Sequence, residues 1–258
     1  MIIIQPSGGL CNRIRVINSA YKLAQKRGDK LTVLWLNNAE LNCPFESLFQ
    51  PVTDIKIINI YSNFSLKKLF LQFTANQRLD NTIIENNKKD GVLNETFYQS
   101  LEKNVYISTW EHFYPSSDYH FFKPASPIQA KIDAITKEFG NKCVGVHIRR
   151  TDHTWAIESS KTNNFVTAVE QELAVNQDAK FYVSTDDIKE ENLLRKKFPN
   201  NIISNRNKTL SRNSVDGMHD ALIDLMCLAN TTKIFGSYFS SFTDIAADWN
   251  QIEKIVIQ

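Results

Sequence analysis

The sequence of 258 residues lacks an excess of either charge and lacks any long apolar run. Its 30 basic and 28 acidic residues leave a formal net charge of +2, which argues against a nucleic-acid-binding surface. No stretch approaches the roughly 18 apolar residues of a membrane span, and the apolar run at residues 1–6 is too short for a signal peptide. We therefore expect a cytoplasmic protein with no transmembrane segment and no nucleic-acid partner, although association with a membrane surface stays open.

The sequence is also poor in cysteine. Cys11, Cys43, Cys143 and Cys227 are scattered, and none belongs to a Cys-x-x-Cys pair. This spacing argues against both a zinc site and a disulfide framework, so we expect reduced and mostly buried thiols. There is no internal repeat, heptad pattern or low-complexity tract. A chain of this length forms either one large α/β domain or two domains of roughly 130 residues each.

What the sequence does contain is an alternation of strand and helix patterns, which predicts mainly parallel sheets. The predicted strands are residues 1–5, 31–36, 55–60, 105–108, 143–148, 180–184, 201–204 and 233–236. The predicted helices are residues 12–27, 128–139, 164–175, 188–197, 215–229 and 242–249. The segment 123–127, with two prolines, predicts a linker. We therefore predict two α/β domains, residues 1–127 and 128–258.

Six aromatic residues cluster without a clean period in the loosely patterned region before that linker. They are Trp110, Phe113, Tyr114, Tyr119, Phe121 and Phe122. Such a cluster can form a carbohydrate-binding platform, but packing between domains is the more common explanation. Both interpretations stay open from the sequence.

Charged side chains follow the predicted strand 143–148, where residues 147–152 read His-Ile-Arg-Arg-Thr-Asp. Because ligands of open α/β sheets bind at the carboxyl ends of strands, two arginines there indicate an anion such as a phosphate or diphosphate. Neighbouring side chains of an extended segment point in opposite directions, so one arginine can face a ligand while a carboxylate braces the other. The candidate carboxylates are Asp152, Asp186 and Asp187. The alternative is a surface turn with solvated charges.

Paired glycines follow the first predicted strand, in the segment Gly-Gly-Leu-Cys-Asn-Arg at residues 8–13. Gly8 and Gly9 allow backbone amides to approach a ligand at the positive end of the next helix. The segment lacks the spacing of a dinucleotide-binding or P-loop fingerprint. It can equally be a tight connection in which Asn12 and Arg13 cap and solvate the helix start.

A hydroxyl pair and two acids, at residues 184–187, end the predicted strand 180–184. Acids in this position invite a metal-binding interpretation. We instead expect Thr185, Asp186 and Asp187 to cap the helix that begins at Ile188, because side-chain oxygens there accept from free helical amides. Since arginines can neutralise phosphate charge, a divalent ion is not required.

Two acids and three serines form the last motif. Asp220 and Asp224 lie one helical turn apart, and Ser237, Ser240 and Ser241 lie where a strand gives way to a helix. Hydroxyls and amides at a helix start suit a phosphate or a ribose, although serine is also a common helix cap.

In this order, the four motifs resemble those of the α1,2/α1,6/protein-O-fucosyltransferase superfamily. Residues 147–152 match its His-x-Arg-Arg-x-Asp signature in full. Residues 8–13 are similar to its Gly-Gly-Leu-Gly-Asn segment, with Cys11 in place of a glycine. Residues 184–187 and 224–241 are similar to its second and third motifs, and residues 110–123 to an aromatic segment of its α1,2 branch.

The resemblance implies an α/β, GT-B-like fold of two Rossmann-like domains facing a cleft. Residues 1–127 would form the acceptor side, and residues 128–258 would bind the GDP-sugar. The implied activity is inverting, metal-independent transfer of fucose from GDP-fucose to a hydroxyl of an oligosaccharide or glycan, in bacterial surface glycan synthesis. No cofactor is implied besides the donor substrate. Two alternatives are a transferase of another GDP-sugar and a catalytically inactive GDP-sugar-binding module.

The resemblance also implies roles for single residues. Arg149 would bind the β-phosphate and stabilise the leaving diphosphate, and His147 would bind the nucleoside. Asp224, Ser240 and Ser241 would bind the guanine, ribose and phosphates, while Arg150 would be partly structural. The further donor-binding candidates are Gly8, Gly9, Asn12, Arg150, Asp186, Asp187, Ser237 and Phe242.

An inverting transfer needs a base that deprotonates the acceptor hydroxyl. In the core-fucosylating branch of the superfamily, a lysine follows the signature and a glutamate comes four residues later. This chain has His153 and Ile157 at those positions, and Glu158 lies one residue further along. We place Glu158 first among the candidate bases, with Asp152 and His153 as the alternatives.

Overall fold

A computed structural model of the chain describes residues 1–114, 116–151 and 154–258. These residues group into two compact units. The first unit contains Met1–Ala125 and Ser211–Met218, and the second contains Ser126–Leu210 and His219–Gln258. The sequence prediction of two contiguous domains did not include the return of residues 211–218 to the first unit, where the Asn42 N–H donates to the Arg212 carbonyl at 3.2 Å.

The first unit is built on a five-stranded sheet with the order β3-β2-β1-β7-β4, in which all neighbours are parallel. Its strands are β1 Ile2–Pro6, β2 Leu31–Leu36, β3 Ile55–Ile60, β4 Gln77–Leu79, the hairpin pair β5 Lys88–Lys89 and β6 Val92–Leu93, and β7 Val105–Thr109. Its helices are α1 Leu10–Arg27, α2 Phe45–Leu48, α3 Leu66–Phe73, α4 Asn81–Asn86 and α5 Glu95–Gln99.

Burial explains why the central strands of this sheet are apolar throughout. Residues 2–4 of β1 are fully buried, and Ile4 pairs with Val33 on one side and with Ile107 on the other. Strands covered on both faces take continuous apolar runs, which sequence patterns reveal well. The helix α1 ends at Gly28, whose positive φ of 65° lets its N–H bond to carbonyls of the last turn.

The second unit repeats this architecture with the strand order β10-β9-β8-β11-β12, again entirely parallel. Its strands are β8 Cys143–Ile148, β9 Lys180–Thr185, β10 Ile202–Ile203, β11 Lys233–Ser237 and β12 Glu253–Ile257. Its helices are α6 Ser126–Thr136, α7 Thr154–Ser159, α8 Thr162–Val175, α9 Ile188–Lys197, α10 Val215–Ala229 and α11 Ser241–Trp249, although the first four residues of α10 group with the first unit. Side chains of β8, β9 and α8 form a core that includes Val146, Phe165 and Phe181, each fully buried.

The aromatic cluster predicted before the linker packs into the first unit. Phe113 and Phe122 are buried, and the Phe122 ring lies 5.3 Å from that of Phe49. The Phe121 ring lies 4.6 Å from that of Tyr21. These ring contacts are made within the first unit, so they are not the packing between domains that was the more common explanation of such a cluster. Among the helices described, none combines the length and the hydropathy that a bilayer span requires.

Candidate functional site

The candidate site lies at the switch point of the second sheet. Strand β8 has β9 on one side and β11 on the other, so the connections that leave the sheet here run in opposite directions. In open α/β sheets this arrangement creates a crevice outside the carboxyl ends of the two central strands. His147 of β8 pairs with Gly236 of β11, and the chain then continues to Arg149 on one strand and Ser237 on the other.

His147 is buried at this strand end, and its ring is fixed from two sides. Its Nδ1 atom lies 2.8 Å from the Thr243 Oγ1 and 3.4 Å from the Ser240 Oγ. The ring stacks on Phe242, with centroids 4.9 Å apart. Burial, together with the nearby charge of Arg149, lowers the pKa of His147 to about 3. The imidazole is therefore neutral near pH 7, and it presents a fixed ring that can donate or accept a hydrogen bond.

Gly236 makes the contact between Thr243 and His147 possible. A Cβ atom at Gly236 would collide with the Thr243 side chain, with only 2.8 Å to the Oγ1. The absence of a side chain lets α11 approach β11 closely, which brings the Thr243 hydroxyl to the histidine ring. Sequence reasoning named Ser240, Ser241 and Phe242 but missed Thr243.

Arg149 is positioned through its backbone. Its N–H donates to the Ser237 Oγ at 3.0 Å, and the same hydroxyl donates to the His147 carbonyl at 3.3 Å. This serine therefore ties the ends of β8 and β11 together. The Arg149 Nε lies 3.9 Å from the Asp186 Oδ2, and 21% of the side chain is exposed. A guanidinium that keeps some exposure at a strand end can meet an anionic ligand.

All three nitrogens of the Arg150 guanidinium donate hydrogen bonds to described residues of the protein. Its Nε donates to Glu190 at 2.8 Å, and its two terminal nitrogens donate to the Arg149 carbonyl at 2.8 Å and to the Thr162 hydroxyl at 3.1 Å. The sequence left open which arginine an acid braces. Asp186 lies near the Arg149 Nε, whereas the Arg150 guanidinium is braced by Glu190, which was not among the candidate acids. The chain turns after β8 so that the guanidinium reaches Glu190 in the first turn of α9, while the third candidate, Asp152, lies outside the described residues.

Asp186 instead fixes the backbone after β8. Its carboxylate accepts from the N–H groups of Arg150 at 2.7 Å and Thr151 at 3.3 Å, and from the Thr151 hydroxyl at 2.7 Å. Burial raises the pKa of the Asp186 carboxyl, but these hydrogen bonds outweigh burial and the pKa is lowered overall. Asp187 caps α9, as its pattern predicted, by accepting from the Lys189 N–H at 2.9 Å.

The start of α11 supplies further polar groups beside His147. Ser240 is the N-cap residue and is buried, and no side-chain hydrogen bond caps the free amides of the first turn in the part of the chain described. A helix N-terminus of this kind attracts anions, because its free N–H groups and its dipole both favour negative charge. Ser241 and Phe242 begin this helix where β11 has ended, as the motif predicted, and Phe242 stacks on the histidine ring.

Asp224 lies in a buried polar network of the same unit. Its two carboxylate oxygens accept from the Tyr182 hydroxyl at 2.6 Å, the Ser184 hydroxyl at 3.0 Å and the Lys208 ammonium at 2.8 Å. Burial raises the pKa of Asp224, and the charge of Lys208 opposes that rise. Asp220, one turn earlier, accepts from the Thr209 N–H at 2.8 Å. The two acids thus tie the segment 205–209 to α10, and a nucleoside-binding role for Asp224 stays a prediction.

The glycine motif of residues 8–13 lies at the carboxyl end of β1 in the first unit. Gly8 has a positive φ of 81°, and its N–H donates to Glu40 at 3.0 Å. A Cβ atom at Gly9 would meet nothing within 4 Å. The Asn12 Oδ1 accepts from Arg15 at 2.8 Å. Donor binding by Gly8, Gly9 and Asn12 stays a prediction.

Arg13, the last residue of that motif, is fully buried and does not solvate the helix start. Its guanidinium donates to the Gly8 carbonyl at 2.8 Å, the Leu36 carbonyl at 2.5 Å and the Asn38 Oδ1 at 2.9 Å. It also lies over the Trp35 ring, 5.1 Å from the centroid. Burial lowers the pKa of Arg13 to about 10, so the group stays charged near pH 7.

Of the three candidate bases, the structure describes one. Asp152 and His153 lie outside the described residues. Glu158 is exposed on α7, the helix that follows the arginines. Two exposed aromatic rings that sequence reasoning missed belong to the same region: Trp155 of α7 lies 6.3 Å from Phe239, which follows β11. The Ser160 hydroxyl, which accepts from the Tyr238 N–H at 2.7 Å, holds the ends of α7 and β11 together.

Within residues 1–114, 116–151 and 154–258, histidine, cysteine, aspartate and glutamate form no group of three that could hold a metal ion.

No family model matches the chain, and no curated protein matches it in sequence. Solved structures do match. The NodZ α-1,6-fucosyltransferase soaked with GDP-fucose superposes with a TM-score of 0.67 at 20% identity, covering 96% of this chain and 91% of that chain. This chain has the fold of a fucosyltransferase. For a GDP complex of Arabidopsis thaliana FUT1 the TM-score is 0.64 at 12% identity, with 99% and 69% covered. For apo POFUT1 the TM-score is 0.60 at 11% identity, with 99% and 97% covered. The predicted α/β, GT-B-like fold class is confirmed.

Proposed function

We propose that this protein is a glycosyltransferase that moves fucose from GDP-fucose to a hydroxyl of a glycan. One observation carries the proposal. Arg149, His147 and the start of α11 meet at the switch point of the second sheet, in a fold shared with fucosyltransferases whose structures were solved with GDP-fucose and with GDP. The sequence motif at residues 147–152 supports the same donor.

In the proposed donor complex, Arg149 neutralises the diphosphate and the free amides of α11 bind a phosphate oxygen. The neutral ring of His147, fixed by Thr243 and Phe242, donates or accepts one hydrogen bond with the nucleoside. Arg150 holds the turn on which Arg149 sits. Because Glu190, Thr162 and a backbone carbonyl already bind its guanidinium, Arg150 is a positioning residue in this proposal.

The proposed reaction is a single inverting displacement at the anomeric carbon. The acceptor oxygen forms a bond to that carbon while the bond to the diphosphate oxygen breaks, and the acceptor proton passes to a base. GDP leaves with the bonding electrons, so negative charge grows on the β-phosphate where Arg149 stabilises it. We propose that this cationic stabilisation replaces a divalent ion and that activity survives EDTA. We propose, from the family resemblance of the motifs, that the acceptor is a glycan of the bacterial cell surface.

Arg149→Ala tests the proposal, in a transfer assay with GDP-fucose and a panel of oligosaccharides. Loss of a charge contact that strengthens in the transition state lowers turnover by about 100-fold or more. Lys189→Ala is the matched control, because it removes an exposed cation of the same unit and leaves the strand ends intact. Near-normal transfer by Arg149→Ala would contradict the assignment of this arginine. Turnover of another GDP-sugar in place of GDP-fucose would contradict the proposal that the transferred sugar is fucose. It would leave the proposed nucleotide-binding site unchanged.

We propose Glu158 as the base, since it lies on an exposed face of α7 near the aromatic pair Trp155 and Phe239, which offers an apolar platform for a sugar ring. Glu158→Gln removes the acid that takes the acceptor proton, so we expect a fall in turnover of about 100-fold and loss of the acidic limb of the pH-rate profile. A profile unchanged in height and shape would exclude Glu158 and leave Asp152 and His153 as the candidates.

A further inference from the structure

The helix α3 of the first unit presents its apolar stripe to solvent. Leu66, Leu69, Phe70 and Phe73 stand at helical spacings of three and four residues, which is the spacing of a face meant for burial. None of these four side chains is buried, and Leu66 and Phe73 are each 83% exposed. We call these four residues the α3 stripe.

The opposite side of α3 is already packed, which fixes the direction of the stripe. Leu71 and the following Ala75 pack against a core cluster of the first unit that contains Leu34, Ile60 and Tyr106. The Gln72 amide donates to the Tyr106 hydroxyl at 3.0 Å. The helix therefore lies on the sheet by its less apolar side and cannot turn its stripe inward without losing these contacts.

Two aromatic side chains that precede the helix extend the exposed apolar surface. Tyr61 is 69% exposed and Phe64 is 86% exposed. With Phe70 and Phe73 this makes four largely exposed rings, each roughly 150 to 250 Å² when fully buried. Large apolar side chains exposed in this number over residues 61–73 mark an interaction site.

Charge indicates what covers this surface. Residues 61–79 contain three basic residues, Lys67, Lys68 and Arg78, and no acidic residue. Lys67 is exposed and lies beside the stripe on the helix surface, where its apolar stem can lie along the patch while its ammonium reaches outward. A helix with aromatic and aliphatic residues on one side and lysine at its border suits the interface of an anionic bilayer.

A second copy of the chain fits this surface less well. Two stripes related by a twofold axis would bring the basic residues of both copies together, with no acid in residues 61–79 to compensate them. The helix has eight residues and is about 12 Å long, which is short for a standard protein interface.

We infer that the α3 stripe, with Tyr61 and Phe64, binds the surface of an anionic phospholipid membrane. Apolar side chains enter the acyl boundary, and Lys67 pairs with lipid phosphates. The inference does not depend on the proposed transferase activity. It rests on α3, which contains none of the candidate donor-binding or catalytic residues.

Vesicle flotation of the full chain tests the inference. Wild-type protein is mixed with vesicles of phosphatidylcholine alone or of phosphatidylcholine with one third phosphatidylglycerol, and the bound fraction is measured at low and high salt. We expect binding to the anionic vesicles that weakens with salt, since the electrostatic part is screened. The double variant Phe70→Ser and Phe73→Ser should lower the partition coefficient by about 100-fold, because two buried rings are lost.

Matched controls separate this surface from general stickiness. Val175→Ser removes a side chain that is 81% exposed in the second unit, and it should leave binding unchanged. Lys67→Gln should weaken binding to anionic vesicles about fivefold, whereas Lys137→Gln should not. Absence of vesicle binding by the wild type, or equal binding by the double variant, would overturn the inference. So would a wild-type dimer that the double variant converts to a monomer without any lipid binding.

Discussion

In both units the central strand of the sheet is followed by a segment that contains an arginine, yet the two arginines are used in different ways. After β1, Arg13 turns back into the fold, where three acceptors and the Trp35 ring surround its buried guanidinium. After β8, Arg149 is held through its backbone N–H, and part of its side chain stays exposed.

This difference shows that topology provides the place for a site but does not decide its chemistry. Both sheets have a switch point between their central strands, at β1 and β7 and at β8 and β11. A cation whose donors are all bound by its own fold stabilises that fold. A cation positioned by its backbone, with its side chain partly exposed, can respond to the charge of a substrate.

Replacing each arginine by alanine, in separate variants, is the test of this comparison with the largest expected effect. Arg13→Ala deprives three acceptors of a charged donor and leaves a cavity beside Trp35, so we expect the free energy of unfolding to fall by about 3 kcal/mol. Urea unfolding measures it. Arg149→Ala, for which we expect a loss of transfer activity, should change the unfolding free energy by less than about 1 kcal/mol. A stable Arg13→Ala, or an Arg149→Ala as unstable as it, would break the comparison.

The parts of the fold that sequence patterns predicted are those with strong local signals. Residues 31–36 and 143–148 were predicted with the bounds the structure has, because mostly apolar runs identify buried parallel strands. Residues 55–60 were also predicted with the observed bounds, although they form a partly exposed edge strand, because four isoleucines in six residues favour a strand. The strands Gln77–Leu79 and Glu253–Ile257 were missed. Both are edge strands, short or largely exposed, and they owe their conformation to pairing with β7 and β11 rather than to their own pattern.

The site was predictable to the level of which strand end holds it, and less so for individual contacts. His147 and Arg149 follow from the motif at the end of an apolar strand. Glu190 was missed because the candidate acids were taken from the strand-end motifs, whereas Glu190 lies in the first turn of α9 and the turn after β8 directs Arg150 toward it. Thr243 was missed because its contact depends on how closely α11 approaches β11, which Gly236 permits.

The pH dependence of stability sharpens the comparison between the two units. Burial lowers the pKa of His147 from 6.5 to about 3, so between these values the unfolded chain binds a proton that the folded chain does not. Stability of the second unit therefore falls as pH decreases through this window, by at most about 1.4 kcal/mol per pH unit. Hydrogen exchange of the β8 amides, measured from pH 6.5 to pH 5 and corrected for intrinsic rates, gives the slope above the range where carboxylates titrate.

His147→Gln should remove most of this slope in β8, because the side chain no longer titrates. His120→Gln is the matched control, since it removes an exposed histidine of the first unit and should leave the slope of β8 in place. The amides of β1 should show little dependence on His147 in either case, provided that the two units open separately. A slope in β8 that survives His147→Gln would mean that another group titrates there. The neutral, fixed imidazole proposed for nucleoside binding would then lose its physical basis.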